Sequence, residues 1–259
     1  MKKRKKTNLI KPSKNKQEYA PAKMKFSEHL QELKFRFFIW LGTFIVASIL
    51  GFLLYDKVLF WLTEPLKQPL YYTSPVGGFE AVLEVSVFFG FMLSIPVLIF
   101  EIIGFLQPII GHLSYKYMLI VTVACFSLAS IGILVAYYLV VPNTLRFLGE
   151  FGGEQLQPII STSEYFSFIL KYLFTFGLIF QLPLFLLLIN YISPLSPLSL
   201  LKQLRTVILI SFIAAAILTP TPDFANQTIM ALPIILLYLF SILLVSISFK
   251  PPFKRFLHK

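Results

Sequence analysis

Apolar residues along this chain gather into six runs, each closed by polar residues, glycine or proline, at about 37–55, 85–106, 117–141, 165–192, 206–218 and 228–249. Five of them match or approach the roughly 20 residues that an α-helix needs to cross a hydrocarbon core of about 30 Å. The fifth, 206–218, is shorter, a length that by itself suits a re-entrant or core segment as well as a span. Ahead of the first run the pattern changes. Phe26, Leu30, Leu33 and Phe37 recur at helical spacing and form one stripe, while His29, Glu32 and Arg36 share another face. Ser27 reads as an N-cap with Glu28 in the first turn. The spacing thus predicts an amphipathic helix that starts at a membrane surface and runs on into the bilayer.

The segments between runs carry turn chemistry. Residues 56–83 read as a loop, with signals at Glu64-Pro65, Ser74-Pro75 and Gly77-Gly78 and with Trp61, Tyr71 and Tyr72 suited to the interface. Residues 142–163 read as a second, polar loop carrying Glu150 and Glu154. Pro96 predicts a kink in the second run, and Gln181 with Pro183 interrupts the fourth. Asp223, after Pro222, suits a cap on the sixth helix. The expected organisation is a disordered basic tail at 1–25, one membrane domain at 26–249 and a basic tail at 250–259.

Composition agrees with this. The 259 residues are 57% hydrophobic and only 14% charged, where a soluble domain carries roughly 25%. The class is therefore an all-α polytopic membrane protein. The net charge of +11 is unevenly placed: with all six runs crossing, one side holds nineteen of the 23 Lys and Arg. The other side keeps Lys57, Lys67, Arg146 and Lys171, with eight of the 12 acidic residues. That bias is what the positive-inside rule expects, with both termini cytoplasmic or stromal. A re-entrant fifth segment would put the basic C-terminus on the wrong side. The expectation is six spans, the short fifth implying local bilayer thinning. Lys2-Lys-Arg-Lys-Lys6 then reads as a topology signal touching anionic lipid rather than as a nucleic-acid arm. The apolar run after it is too long for a cleavable signal peptide, and no small-residue cleavage site follows.

Few ionisable groups are placed to do chemistry. On the positive side the acids are Glu18, Glu28, Glu32 and Glu101. Glu32 can pair with Arg36 in the favourable i, i+4 order, but on a surface such a pair is worth at most about 0.5 kcal/mol. It can therefore exchange Arg36 for an incoming guanidinium, which binds a carboxylate bidentately. Glu101 lies toward the inner end of the second run, where a charge needs a partner or water, and both a functional role and simple snorkelling are open to it. Gln181 lies deeper and must join helices or line a hydrated cavity. The three histidines lack metal-ligand spacing, the lone Cys125 has no base beside it, and no phosphate-cradling loop is visible. No catalytic, metal or cofactor site is expected. A secondary transporter would use Glu101, Gln181 and Asp223 as a polar pathway, but its usual internal repeats are not evident.

His29-Leu-Gln-Glu-Leu-Lys-Phe-Arg36 resembles the amino-terminal His-Leu-x-Glu-Leu-Arg-x-Arg motif of the TatC family, the large subunit of the twin-arginine protein translocase. Further matches follow in order: Pro65, Ser94-Ile-Pro96, Phe105-Leu-Gln-Pro108, Phe176-Gly177, Phe180-Gln-Leu-Pro183, Leu218-Thr-Pro220, Pro222-Asp223 and Gln227. The resemblance covers about residues 26–249. It implies six helices in a concave, glove-like wall. It also implies a receptor for signal peptides with paired arginines that helps move folded proteins, driven by the proton-motive force. The implied partners are those signal peptides, small single-span subunits of the TatA and TatB type, and further copies of the chain.

Glu32 and Arg36 carry over directly, and Gln181 takes the place of the family's polar residue in the fourth span. The chain departs from the pattern at several points. Lys34 replaces the motif's first Arg, and Ser114 stands where the first inner loop usually holds a second arginine-binding Glu. Glu84 and Leu239 fall where a lysine and an acid are often seen. Glu101 is the candidate to replace the lost loop carboxylate in part. Gln181 and the Leu218–Asp223 spacing look more like cyanobacterial and plastid members, so a thylakoid membrane is expected, with a bacterial inner membrane second. A small-solute carrier and a TatC-like scaffold with altered signal recognition are the alternatives.

Overall fold

The computed structural model describes residues 26–66, 68–110, 114–150, 159–218 and 224–248. Within them the chain is almost wholly helical. Helix α1 spans Phe26–Leu53, α2 Tyr55–Thr63, α3 Gly77–Ile110, α4 Tyr115–Val135 and α5 Val141–Glu150. Then follow α6 at Thr162–Ile179, α7 at Leu182–Ile192, α8 at Pro197–Lys202, α9 at Leu204–Leu218 and α10 at Phe224–Ser248. Five continuous or nearly continuous apolar helical stretches are long enough to cross a membrane, and α9 is a shorter apolar helix. The expected tails and the Asp223 cap lie outside the described residues.

Several boundaries differ from the sequence reading for local reasons. Ser27 is not an N-cap, because α1 already begins at Phe26. The expected loop at 56–83 is helical over α2 and a 3₁₀ turn at Glu64–Leu66, and α3 starts at Gly77. Leu62 and Leu66, one helical turn apart, are buried there, so this segment caps the bundle instead of trailing into solvent. The second expected loop is also shorter, because helix continues through Pro142. A proline has no N–H for the carbonyl four residues back and clashes with it. The chain answers with a π turn over Ala136–Val140, widened just where Pro142 needs room. Helix α3 passes through Pro96 without interruption.

The fourth run is broken, as its Gln181 and Pro183 suggest. Gln181 N–H donates to the Leu178 carbonyl at 2.9 Å, so the Gly177 carbonyl loses its ordinary i+4 donor. The Gln181 side chain supplies one instead, its Nε2 lying 3.3 Å from that oxygen.

The main core gathers at one end of the bundle, where α2, α3, α5, the π turn, α6 and the facing parts of α9 and α10 bury Leu62, Val85, Tyr137, Phe166, Phe176 and Met230. The Tyr165 hydroxyl donates to the Leu62 carbonyl at 2.6 Å, and Trp61 stacks on Tyr137 with centroids 3.9 Å apart. A β-bridge between Tyr71 and Ser161 ties the connections together. A second cluster of Leu200, Tyr238, Ile242 and Val245 joins α7, α8 and α10 at the other end. Outward faces stay apolar and exposed, for example Phe38, Ile49, Val123, Leu209 and Leu243, as lipid contact requires. Helices α1 and α3 meet closely: Gly51 lies against Ser86 and Phe89, and Gly90 against Ser48. That seam sets the register on which the site depends.

Candidate functional site

Close approach of α1 and α3 brings the amphipathic start of one beside the C-terminal part of the other. Glu32 and Arg36 sit one helical turn apart on α1, and Glu101 faces them from α3. Arg36 Nε and Nη2 donate to Glu32 Oε1 at 3.0 and 2.8 Å. Its Nη1 donates to Glu101 Oε2 at 2.8 Å. A single guanidinium thus bridges two carboxylates on two helices. The group is sheltered, the Arg36 and Glu32 side chains being 25% exposed and Glu101 14%. Charge-assisted bonds of this kind are stronger where water is thin.

The surroundings fix the geometry. Gly104 lies beneath the guanidinium, and a Cβ there would stand 2.8 Å from Cζ and strike Nη1. Glycine is needed for this close approach, not for backbone freedom. Leu33, Phe37, Trp40, Leu98, Ile102 and Phe105 wall a cavity of about 90 Å³ beside the ion pairs. His29 stacks on Phe105 with centroids 4.2 Å apart, and its Nδ1 reaches only to 3.9 Å from Glu32 Oε2. That oxygen is shielded from solvent and has no hydrogen-bond partner among the described residues. Farther along the seam, Trp40 Nε1 donates to Ser94 Oγ at 3.2 Å and Ser94 Oγ donates to the Phe91 carbonyl at 2.9 Å.

The structure therefore brings together Glu32, Arg36, Glu101 and Phe105 of the sequence candidates. Glu101 pairs across helices with Arg36. Lys34 is exposed and, among the described residues, joins no ion pair. Ser114 is exposed at the N-terminus of α4, with no side-chain capping bond. Pro108 lies in the last turn of α3, but its side chain is outside the described set, as are residues 111–113. Gln181 belongs elsewhere: Nε2 donates to the Cys125 carbonyl at 3.0 Å, joining α4 to the break between α6 and α7 beside an apolar cavity of about 130 Å³. Pro65 lines a half-open cavity of about 780 Å³ at the opposite end, with Arg146, Glu164 and Phe168. Sequence reasoning missed Gly104 altogether. Its only sequence signal is a glycine one helical turn after Glu101. Among the described residues no cluster of His, Cys, Asp and Glu could hold a metal ion.

Chemically, the α1–α3 site holds a planar cation, the chain's own Arg36 guanidinium. It has two carboxylates on separate helices, a floor at Gly104 and apolar walls. One oxygen of Glu32 makes no hydrogen bond among the described residues.

Three comparisons relate the chain as a whole to known proteins. Residues 28–233 match the family model TatC, described as Sec-independent protein translocase protein (TatC). The chain is 32% identical over 222 residues to the Sec-independent protein translocase protein TatC of Carboxydothermus hydrogenoformans, covering 85% of this chain and 91% of that one. It is 33% identical over 218 residues to the uncharacterized tatC-like protein ycf43 of Trieres chinensis, covering 82% and 81%. A crystal structure of the twin arginine translocase receptor TatC in DDM superposes with a TM-score of 0.73 at 31% identity, covering 84% of this chain and 99% of that one.

Proposed function

The chain belongs to the TatC family of Sec-independent protein translocase proteins, and we propose that within such a translocase it is the receptor for signal peptides bearing paired arginines. Family membership makes it a protein translocase subunit of the membrane, a transport protein rather than a catalytic one. The observation that carries the finer reading is the placement of Glu32 and Glu101 around one guanidinium, with Glu32 Oε2 left over. An arginine side chain from outside finds there the charge, planarity and acceptor geometry that Arg36 already uses.

Glu101 supplies the second carboxylate that the loop lacks at Ser114. Helix α3 holds it in place. In this reading Lys34 is a nearby positive charge and Ser114 a lining residue without an anionic role. Transport would draw on the proton-motive force, with small single-span subunits as partners and several copies of the chain in the assembly. The likeness to ycf43-type relatives supports a plastid thylakoid membrane as its setting. A small-solute pathway gains no support from Gln181, whose amide nitrogen is engaged by two backbone carbonyls.

The test is site-specific photocrosslinking in membranes, with probes at Lys34 and Ser114, to a twin-arginine signal peptide and a twin-lysine control. The expected result is a crosslink from Lys34 that needs both arginines and that weakens at least tenfold in Glu32→Gln and in Glu101→Gln. Equal crosslinking of the two peptides, or none from correctly inserted protein, would remove the receptor reading. Crosslinking untouched by Glu101→Gln would confine the site to Glu32.

A further inference from the structure

The α1–α3 site is not open; it is filled by the chain's own arginine. Arg36 presents to Glu32 and Glu101 the same group that the proposed ligand would bring, through three N–H donors. Resting on the receptor reading, we propose that Arg36 is an internal competitor: a signal peptide binds by displacing it, and the displacement lowers the apparent affinity of every cationic ligand for the site.

The geometry provides the lock. Gly104 leaves a slot in α3 shaped to a guanidinium, because any side chain there would collide with Arg36. Both carboxylates give one oxygen to Arg36, and the second oxygen of Glu32 is buried without a hydrogen-bond partner among the described residues. That oxygen is a further acceptor that a guanidinium gains once Arg36 moves.

Competition acts on affinity. To enter, a ligand must replace bonds made by a flat fork of donors. A second arginine replaces them in kind, whereas a lysine ammonium is a compact point charge with no such fork. That difference belongs to the two carboxylates and is present with or without Arg36. Without Arg36, two carboxylates would share a sheltered site with no cation, and any cation would be welcome there. Affinity for both ligands would rise by the same factor, because the cost of displacing Arg36 is common to them and cancels from their ratio.

The experiment measures Kd for twin-arginine and twin-lysine peptides on the full-length, detergent-solubilised protein by fluorescence anisotropy. Wild type, Arg36→Gln and Arg36→Lys are compared, each checked for monodispersity and thermal unfolding. In Arg36→Gln both peptides should bind on the order of tenfold tighter, with the arginine-to-lysine affinity ratio unchanged. Arg36→Lys should lie between wild type and Arg36→Gln. If Arg36→Gln leaves both affinities unchanged or weakens them, Arg36 is a strut and the proposal is overturned. Should that variant not accumulate, unchanged or weakened binding in Arg36→Lys overturns it equally. A wild-type protein that binds neither peptide would instead defeat the receptor reading itself.

Discussion

A carboxylate within a membrane helix persists only where something answers its charge, and Glu101 is answered from another helix by Arg36 at 2.8 Å. The i, i+4 pair of Glu32 and Arg36 was legible in the sequence because helical geometry alone brings those two side chains together. The Arg36–Glu101 pair was not. It depends on the register between α1 and α3, which local spacing does not encode, and Gly104 gains its meaning only once the guanidinium lies over it. At this scale Glu101→Gln should cost about 1–3 kcal/mol, since Arg36 keeps one anionic partner and loses a charge-assisted bond in a sheltered place. The measurement is thermal unfolding in detergent, with a drop of a few degrees in Tm expected. An unchanged Tm would mean that water already satisfies Arg36 there.

The seam between the two helices is carried by small residues, and here element-level packing decides what a substitution does. At Gly90 a Cβ would come within 2.6 Å of the Ser48 backbone, whereas at Gly42 nothing lies within 4 Å. Gly90→Val should therefore force α1 and α3 apart, costing about 3 kcal/mol or more, while Gly42→Val on the same seam-forming helix should be near neutral. The yield of monodisperse protein separates the two, and equal yields would contradict the close packing. Gln181→Leu should cost about 1–2 kcal/mol, because the Gly177 carbonyl would lose the donor that replaces its helical one. Its Tm should fall without change in signal-peptide binding. Element boundaries were the weakest part of the sequence reading. Turn signals at Glu64-Pro65 and Ser74-Pro75 outweighed the helical spacing of Val58, Leu62 and Leu66, and nothing before Pro142 announced a π turn.

Across the whole molecule, the helical order leaves one question that decides orientation: whether α9 crosses. Its 15 residues reach about 22 Å, short of a hydrocarbon core of about 30 Å. Yet α9 lies against α10, with Ser211 and Ala215 buried and Ile208, Leu209, Ile210 and Ile217 left exposed, the distribution of a helix with one face on protein and one on lipid. Charge placement favours a crossing, since it would collect nineteen of the 23 Lys and Arg, including both ends of the chain, on one side. The prediction is that single cysteines at Leu204 and Leu218, in a Cys125→Ala background, react with a membrane-impermeant maleimide from opposite faces of sealed vesicles. Leu204 should share its face with a tag on the N-terminus. Because a crossing α9 would need the bilayer to thin around it, labelling at Leu218 should slow as the acyl chains of the vesicle lipid lengthen. Reaction of both cysteines from the same face would make α9 re-entrant and move the basic C-terminus across the membrane. The Glu32–Arg36–Glu101 site would then no longer face the same compartment as that terminus.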